Sequence, residues 1–179
     1  MRINAGKYRN HNIEMTNLET TRETSDKVRQ AIFNLIGQFF DGEVVLDLFA
    51  GSGAMGLEAI SRGASKAYFN DINAKALEVV KKNIAKLRVD DQCELKNLDY
   101  KAYLESSNQK FDIIFLDPPY KMNNVDEILK LIKEKNLLAQ KGIIAFEMET
   151  QTNPESQYYS ILKDRSYGIK RVVIYEGEK

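Results

Sequence analysis

The four consecutive residues Asp117-Pro118-Pro119-Tyr120 place a carboxylate, two rigid prolines and an aromatic ring directly after the apolar run 111–116. Each proline fixes φ and lacks an N–H, so the chain leaves the strand as a stiff extended segment with its carbonyl oxygens available. Such a segment suits a planar base with an exocyclic amine. The amine can donate to Asp117 and to the Pro118 carbonyl, while Tyr120 stacks on the ring.

A glycine-rich loop, Gly51-Ser52-Gly53-Ala54-Met55-Gly56, lies between the apolar run 43–49 and a helical pattern. Glycines at these positions let the backbone turn tightly and approach a ligand, and the helix start presents N–H groups. Asp71 follows the next apolar run, where its carboxylate can accept hydrogen bonds from ribose hydroxyls. Loop and acid together predict a site for an adenosine-bearing cofactor and leave open which cofactor it is.

Apolar runs and helical spacings alternate between residues 43 and 148. The helical spacings predict a first helix that begins near Thr24 and includes Phe39, and later helices at 57–63, 73–87 and 125–135. Since strands and helices alternate, right-handed crossovers predict an α/β fold, a mostly parallel sheet with helices on both faces. Continuous apolar runs predict its buried strands at 43–49, 67–70, 111–116 and 142–148, and the less apolar segment 93–97 predicts a weaker strand.

The two ends of the chain depart from this alternation. Strand-like runs at 158–162 and 169–175, joined by the turn-like segment 164–168, predict a hairpin that leaves the last strand antiparallel. Residues 1–20 alternate loosely and predict a short, irregular β-hairpin arm. The sequence contains no repeat or linker, so we predict one domain over residues 1–179, with an N-terminal arm at 1–23 and a catalytic core at 24–179.

The charges balance, with 26 Lys and Arg against 26 Asp and Glu, which argues against nucleic-acid binding by bulk positive charge alone. Arg2, Lys7 and Arg9 nevertheless precede the first acidic residue, so this basic arm either contacts phosphates or is a solvated hairpin. Cys93 is the single cysteine, which excludes an intramolecular disulfide and fits a reducing compartment. No apolar run is long enough for a membrane span. We therefore expect a cytoplasmic protein.

Two further residues have simple interpretations. His11 is the single histidine and has no cysteine near it in the sequence, so no metal site is expected. Glu147, near the end of the predicted strand 142–148, either binds substrate or marks the end of the strand.

The order of these motifs resembles the S-adenosylmethionine-dependent amino methyltransferases of the Rossmann-like class. Asp47-x-Phe49-x-Gly51-x-Gly53 comes first, then an acid after the second strand, then Asp117–Tyr120 after the fourth. The stretches MRINAGKY and TRETSDKVRQAIFN resemble the opening of the RsmD family of 16S ribosomal RNA guanine-N2 methyltransferases. The resemblance covers nearly the whole chain. It implies a mostly parallel seven-stranded class I methyltransferase sheet with an antiparallel C-terminal strand.

The resemblance also implies roles for individual residues. In the cofactor site, Asp47 and the backbone of Ala50–Gly53 would hold the methionine part, Asp71 the ribose, and Asp99 the adenine. The full set of cofactor-binding residues is predicted to be Asp47, Phe49, Ala50, Gly51, Ser52, Gly53, Asp71, Ile72, Asp99 and Asp117. Asp117, Pro118, Pro119 and Tyr120 would hold the target base and act in catalysis. The predicted RNA-binding residues are Arg2, Lys7, Arg9, Arg22, Thr24 and Lys121.

Arg22, Thr24 and Asp26 match the family's R-P-T-x-D stretch, which resembles a lid near the cofactor and RNA. This chain departs from that stretch at Glu23, which stands where the family usually has proline, so the lid here differs in rigidity and charge.

The implied reaction is methylation of the N2 amine of a guanine in 16S ribosomal RNA, with S-adenosylhomocysteine as the second product. We expect a monomer that acts on RNA within a small-subunit particle and uses no metal.

Three alternatives remain open. An adenine-N6 methyltransferase acting on RNA or DNA would use the same Asp117–Tyr120 segment, because that segment accepts either amine. An NAD-dependent oxidoreductase would explain the glycine loop and Asp71 but give the segment no role. A non-catalytic RNA-binding assembly factor would have kept the fold and lost catalysis.

Overall fold

The computed structural model describes residues 1–18, 24–122 and 124–177. Its helices are α1 (Asp26–Ile36), α2 (Ala54–Ser61), α3 (Ala74–Leu87), α4 (Tyr100–Ser106) and α5 (Val125–Glu134), with a 3-10 turn at Asp90–Gln92. Its strands are β1 (Val44–Asp47), β2 (Lys66–Asn70), β3 (Cys93–Lys96), β4 (Phe111–Leu116), β5 (Leu138–Glu149), β6 (Ser160–Tyr167) and β7 (Lys170–Glu176). Among the helices in these ranges, none is both long and apolar enough to cross a membrane.

The strands described form a seven-stranded sheet in the order β3-β2-β1-β4-β5-β7-β6. The first five run parallel, and β7 pairs antiparallel with both β5 and β6. The predicted α/β fold, mostly parallel with an antiparallel C-terminal strand, is therefore confirmed. Beside β1 the order reverses, since β2 lies on one side and β4 on the other. In open α/β sheets, ligands bind in the crevice that such a reversal leaves at the carboxyl ends of the strands.

Helices cover both faces of the sheet, as predicted. Alternate residues of a strand point to opposite faces, so neighbours such as Val45 and Leu46 belong to different apolar clusters. The Val45 cluster includes Leu57 of α2 and Val80 of α3, and the Leu46 cluster includes Ile128 of α5. Two packed layers thus hold the central strands rigid and fix the positions of their carboxyl ends.

The structure corrects several predicted boundaries. The prediction that the first helix includes Phe39 is wrong, because α1 ends at Ile36, where Gly37 adopts a φ of 126° and its N–H bonds to the Phe33 carbonyl. Phe39 is 67% exposed. The short helix α4 was not predicted.

The C-terminal hairpin also differs from its prediction. The segment 164–167 continues strand β6 instead of turning, and the turn lies at 168–169, where Gly168 has a φ of 65°. Tyr158 and Tyr159, predicted to be in the sheet, precede it, because the pairing of β6 starts at Ser160, opposite the last residue of β7.

The N-terminal residues fold as the predicted irregular hairpin, joined by an antiparallel bridge between Arg2 and Asn12. This hairpin packs on the core: Ile3 is 1% exposed, and Gly6 adopts a φ of 84° against the backbone of Ser61. A Cβ at Gly6 would lie 1.9 Å from the Ser61 carbonyl oxygen, so only glycine allows this approach. The predicted boundary between arm and core falls at residue 23, outside the described residues.

Candidate functional site

A cavity of about 610 Å³ opens at the carboxyl edge of the sheet, beside the reversal at β1. The ends of β1, β2, β4 and β5, the start of β7, Thr24 before α1 and Ile32 within α1 contribute to it. Cavities of this size accept cofactor-sized molecules. The predicted site residues that line it are Thr24, Asp47, Phe49, Ala50, Gly51, Asp71, Ile72, Asp99, Asp117, Pro118, Pro119 and Tyr120.

The glycine-rich loop makes the tight turn between β1 and α2. Gly51 and Gly53 have φ values of 55° and 82°, in the left-handed region that favours glycine. A Cβ at Gly56 would lie 2.4 Å from the Phe69 ring, so this third glycine lets α2 pack closely on β2. Ser52 is fully buried, and its carbonyl accepts a hydrogen bond from Asn83. Ser52 and the N-cap Gly53 therefore support the loop from behind the cavity wall.

Asp71 joins the end of β2 to the glycine loop. One carboxylate oxygen accepts the Gly51 N–H at 2.9 Å, and the other accepts the Asn73 N–H at 2.8 Å. Each carboxylate oxygen has a second acceptor position, so ribose hydroxyls can still bind there. Ile72, the next residue, is 69% exposed at the cavity and offers an apolar surface.

Backbone N–H groups hold the carboxylates of Asp47, at the end of β1, and Asp99, after β3. Asp47 is 4% exposed and accepts the Gly56 N–H at 3.1 Å. Asp99 is the N-cap of α4 and accepts the Lys101 N–H at 2.9 Å. The unpredicted helix α4 thus orients a residue that was named for the cofactor site.

Asn70, at the end of β2, is a site residue that the sequence interpretation missed. Its amide nitrogen donates to the carbonyls of Leu48 and Leu98, and its side-chain oxygen accepts the Leu98 N–H. It therefore ties together three segments of the cavity wall. A polar residue that closes an apolar run, immediately before Asp71, is the signal that could have identified it.

The Asp117–Tyr120 segment leaves β4 and turns along the cavity mouth, where the Met122 N–H donates to the Pro119 carbonyl. Tyr120 is 67% exposed, so a face of its ring is accessible to a planar ligand. The Thr24 hydroxyl, beside the start of α1, donates to Asp117 Oδ2 at 2.8 Å. Lys121, predicted to contact RNA, is exposed next to this segment and is not part of the cavity wall.

Glu147 and Lys170 extend the polar surface beyond Asp117. Glu147 Oε2 lies 3.2 Å from the Thr24 hydroxyl, and Glu147 Oε1 lies 3.1 Å from Lys170 Nζ. Both residues line the cavity, with side chains that are 4% and 18% exposed. The sequence interpretation left Glu147 open and missed Lys170. Glu147 had a local signal, because it is a charged residue inside the apolar run 142–148. Lys170 had none, because it reaches this edge only through the pairing of β7 with β5.

The predicted basic RNA contacts lie elsewhere. Arg2, Lys7 and Arg9 are exposed and do not line the cavity. The Lys7 N–H donates to the carbonyl of Ser61, at the C-terminal end of α2, whereas the cavity lies at the N-terminal end of that helix. Arg22 lies outside the described residues.

Among the described residues, neither the Cys93 thiol nor a metal cluster adds a reactive group. Burial raises the pKa of the Cys93 thiol to about 12, and the nearby Asp90 and Asp91 carboxylates contribute to the shift. The thiol is therefore neutral at physiological pH and a poor nucleophile. In the described ranges, no three His, Cys, Asp or Glu side chains are grouped so that they could hold a metal ion.

Two halves of the cavity thus have different chemistry. The glycine loop, Asp71 and Asp99 form a half suited to a nucleoside with a charged tail. The Asp117–Tyr120 segment and Glu147 form a half rich in hydrogen-bond acceptors beside an exposed ring. Since both halves open into one cavity, molecules held in each would meet.

Comparisons with known proteins agree with this architecture. The family model described as conserved hypothetical protein 95 matches residues 1–176. The chain is 36% identical over 181 residues to the Bacillus subtilis protein YlbH, covering 98% of each protein. It is 32% identical to ribosomal RNA small subunit methyltransferase D of Haemophilus influenzae, covering 99% of this chain and 94% of that relative. A solved structure of the Escherichia coli protein yhhF superposes with a TM-score of 0.89 at 27% identity, covering 99% of this chain and 98% of that chain.

Proposed function

The chain belongs to the family described as conserved hypothetical protein 95, which confirms its resemblance to the RsmD family, and we propose that it methylates the N2 amine of a guanine in 16S ribosomal RNA. The methyl donor is S-adenosylmethionine. One observation carries the proposal: the glycine loop with Asp71 and the Asp117–Tyr120 segment line the same cavity. The name of the Haemophilus influenzae relative supports ribosomal RNA of the small subunit as the substrate.

The cofactor half fits S-adenosylmethionine on structural grounds. Gly51 and Gly53 let the backbone approach the ligand, and Asp71 can accept the ribose hydroxyls. Ala54 and Met55 line the cavity at the start of α2, where helix N–H groups and the positive end of the helix dipole suit the methionine carboxylate. When bound, S-adenosylmethionine supplies an activated methyl group and leaves as S-adenosylhomocysteine.

The Asp117–Tyr120 segment positions the amine. An exocyclic guanine amine is a poor nucleophile, because its lone pair is delocalised into the ring. Hydrogen bonds from the amine to Asp117 and to the Pro118 carbonyl favour a pyramidal, positively charged nitrogen, which develops in the transition state. Tyr120 stacks on the base and fixes its plane. Orientation of this kind can lower a barrier by about 7–11 kcal/mol.

The target guanine has to leave its stack to enter the cavity, which costs least in an RNA loop. The sheet and its helices take up most of the described chain, which favours a substrate that presents the base already exposed. We therefore propose a small-subunit particle as the substrate. We propose separately that the enzyme is a monomer.

Incubation with labelled S-adenosylmethionine and small-subunit particles that lack the modification tests this function. Nucleoside analysis of the 16S RNA should show labelled N2-methylguanosine. Labelled N6-methyladenosine would overturn the choice of base and favour the adenine-N6 alternative. Binding of S-adenosylhomocysteine without transfer to the particles would favour a non-catalytic assembly factor.

A further inference from the structure

Asp117, Glu147 and Lys170 form a continuous polar surface on the wall of the cavity, linked by Thr24. The Thr24 hydroxyl contacts Asp117 Oδ2 at 2.8 Å and Glu147 Oε2 at 3.2 Å, and Lys170 Nζ contacts Glu147 Oε1 at 3.1 Å. The surface therefore presents two acceptor groups followed by one donor group, in the order Asp117, Glu147, Lys170.

The Thr24 hydroxyl lies within hydrogen-bonding distance of both carboxylates, so the space between them suits a hydrogen-bond donor. A hydroxyl has one hydrogen, so Thr24 can donate fully to only one of the carboxylates at a time. A ligand with two adjacent N–H groups could donate one hydrogen bond to each carboxylate. These bonds would replace those of the Thr24 hydroxyl.

The order of these groups complements one edge of guanine. That edge carries the N2 amine and the N1–H, both donors, followed by the O6 acceptor. Adenine instead presents its N6 amine beside N1, an acceptor that a carboxylate would repel. Lysine has three N–H donors, so Lys170 can bond to Glu147 and to a guanine O6 together.

We propose that Glu147 and Lys170 determine the specificity for guanine, with Glu147 accepting the N1–H and Lys170 donating to O6 while Asp117 holds the N2 amine. This inference rests on the proposed methylation of a guanine amine and adds the residues that select the base. It also gives a function to a carboxylate that is 4% exposed in the cavity wall. A purely structural ion pair between Glu147 and Lys170 would stabilise the sheet and leave base choice unaffected.

The base analogue 2-aminopurine separates these roles, because it keeps the N2 amine but lacks both the N1–H and O6. The methylated guanine is mapped first, and particles are then assembled with 2-aminopurine at that nucleotide. For the wild type we expect kcat/KM on the analogue to fall about 10- to 100-fold, as expected when hydrogen bonds to charged groups are lost. Equal methylation of both substrates by the wild type would overturn the inference without any variant.

Two variants assign the effect to residues. Glu147→Gln should lower kcat/KM on guanine about tenfold or more and raise it on 2-aminopurine, because the glutamine amide can donate to the unprotonated N1 that the carboxylate repels. Lys170→Met should also lower guanine methylation selectively, since the analogue has no O6. The matched control is Glu78→Gln, the same change at an exposed position of α3 outside the cavity wall, which should leave both rates unchanged.

A thermal shift with S-adenosylhomocysteine shows whether each variant keeps a folded cofactor site. If the wild type forms N2-methylguanosine and both cavity variants slow the two substrates equally, the specificity role is wrong and the proposed function stands. If the wild type forms no N2-methylguanosine, the proposed function fails, and the inference fails with it.

Discussion

The immediate surroundings of Asp117 and Tyr120 fix where these two side chains lie in the cavity wall. Asp117 directly follows the buried strand β4, and the two prolines after it keep its carboxylate and the Tyr120 ring on the cavity wall. The hydrogen bond from Thr24 holds the carboxylate in place. Substitutions at these two positions should therefore separate the handling of the amine from the stacking of the base.

We expect Asp117→Ala to abolish methyl transfer while the affinity for S-adenosylhomocysteine stays within several-fold. The carboxylate contacts the amine in our mechanism, whereas the cofactor half is built on the glycine loop and Asp71. Single-turnover transfer and calorimetric titration with S-adenosylhomocysteine measure the two effects. Asp41→Ala, at an exposed loop position, is the control and should change neither. Full activity in Asp117→Ala would refute the role of this carboxylate.

Tyr120→Ala should weaken capture of the base, because stacking on an aromatic side chain contributes about 1–3 kcal/mol per base. We expect the RNA concentration for half-maximal single-turnover rate to rise, while stability stays unchanged because the side chain is 67% exposed. Tyr120→Phe keeps the ring and should retain nearly full capture. If the phenylalanine variant loses as much as the alanine variant, the hydroxyl acts instead of the ring.

The close packing of helix α2 on strand β2 sets the shape of the glycine loop. Gly56 lies against the fully buried Phe69, and its N–H is held by Asp47, so the start of the helix and the end of β1 are fixed together. A change in this spacing would move the helix N-terminus away from the cofactor.

We expect Gly56→Ala to lower the free energy of unfolding by about 2 kcal/mol, because overpacking costs up to about 3 kcal/mol and the gain in helix propensity is about 1 kcal/mol. Affinity for S-adenosylhomocysteine should fall as well. Urea unfolding and calorimetry measure these effects. The double variant Gly56→Ala with Phe69→Leu should show a favourable coupling energy, since the smaller side chain makes room for the new methyl group. Independent, additive effects would contradict the proposed contact.

At the scale of the whole molecule, a buried ion network joins the N-terminal hairpin to the helical layer. Glu58 of α2 is fully buried, lies 2.9 Å from Arg62 and 3.5 Å from Arg29, and accepts the backbone N–H groups of Asn4 and Ala5. One carboxylate thus connects α1, α2 and the first residues of the chain.

Glu58→Ala should destabilise the protein by about 3–5 kcal/mol, because it removes the buried carboxylate that pairs with Arg62 and leaves the buried Arg29 with Asp26 alone. Amide hydrogen exchange at Asn4 and Ala5 should accelerate, since both N–H groups lose their acceptor. The control Glu78→Ala removes an exposed pair with Lys81 on α3 and should cost less than about 1 kcal/mol. Unchanged exchange at Asn4 and Ala5 would show that the network does not hold the hairpin.

The elements that were predicted correctly have a local sequence pattern that identifies them. Strand β4 matches the predicted run 111–116, since its apolar residues are continuous and Asp117-Pro118 ends it. Helix α3 matches its apolar spacing, with Asn73 as its N-cap. Helix α4 was missed because it spans only seven residues and lacks a long periodic pattern. The end of α1 was missed because Gly37, not the apolar spacing, terminates the helix.

The sequence by itself determined the α/β class, the glycine loop and the Asp117–Tyr120 segment, because these depend on local backbone chemistry and on the order of elements. The tertiary structure alone decided which distant side chains join them. Lys170 begins a strand far along the chain, and only the antiparallel pairing of β7 with β5 brings it beside Glu147 at the carboxyl edge. Pairing of this kind depends on packing across the sheet, so no local pattern at Lys170 reveals it.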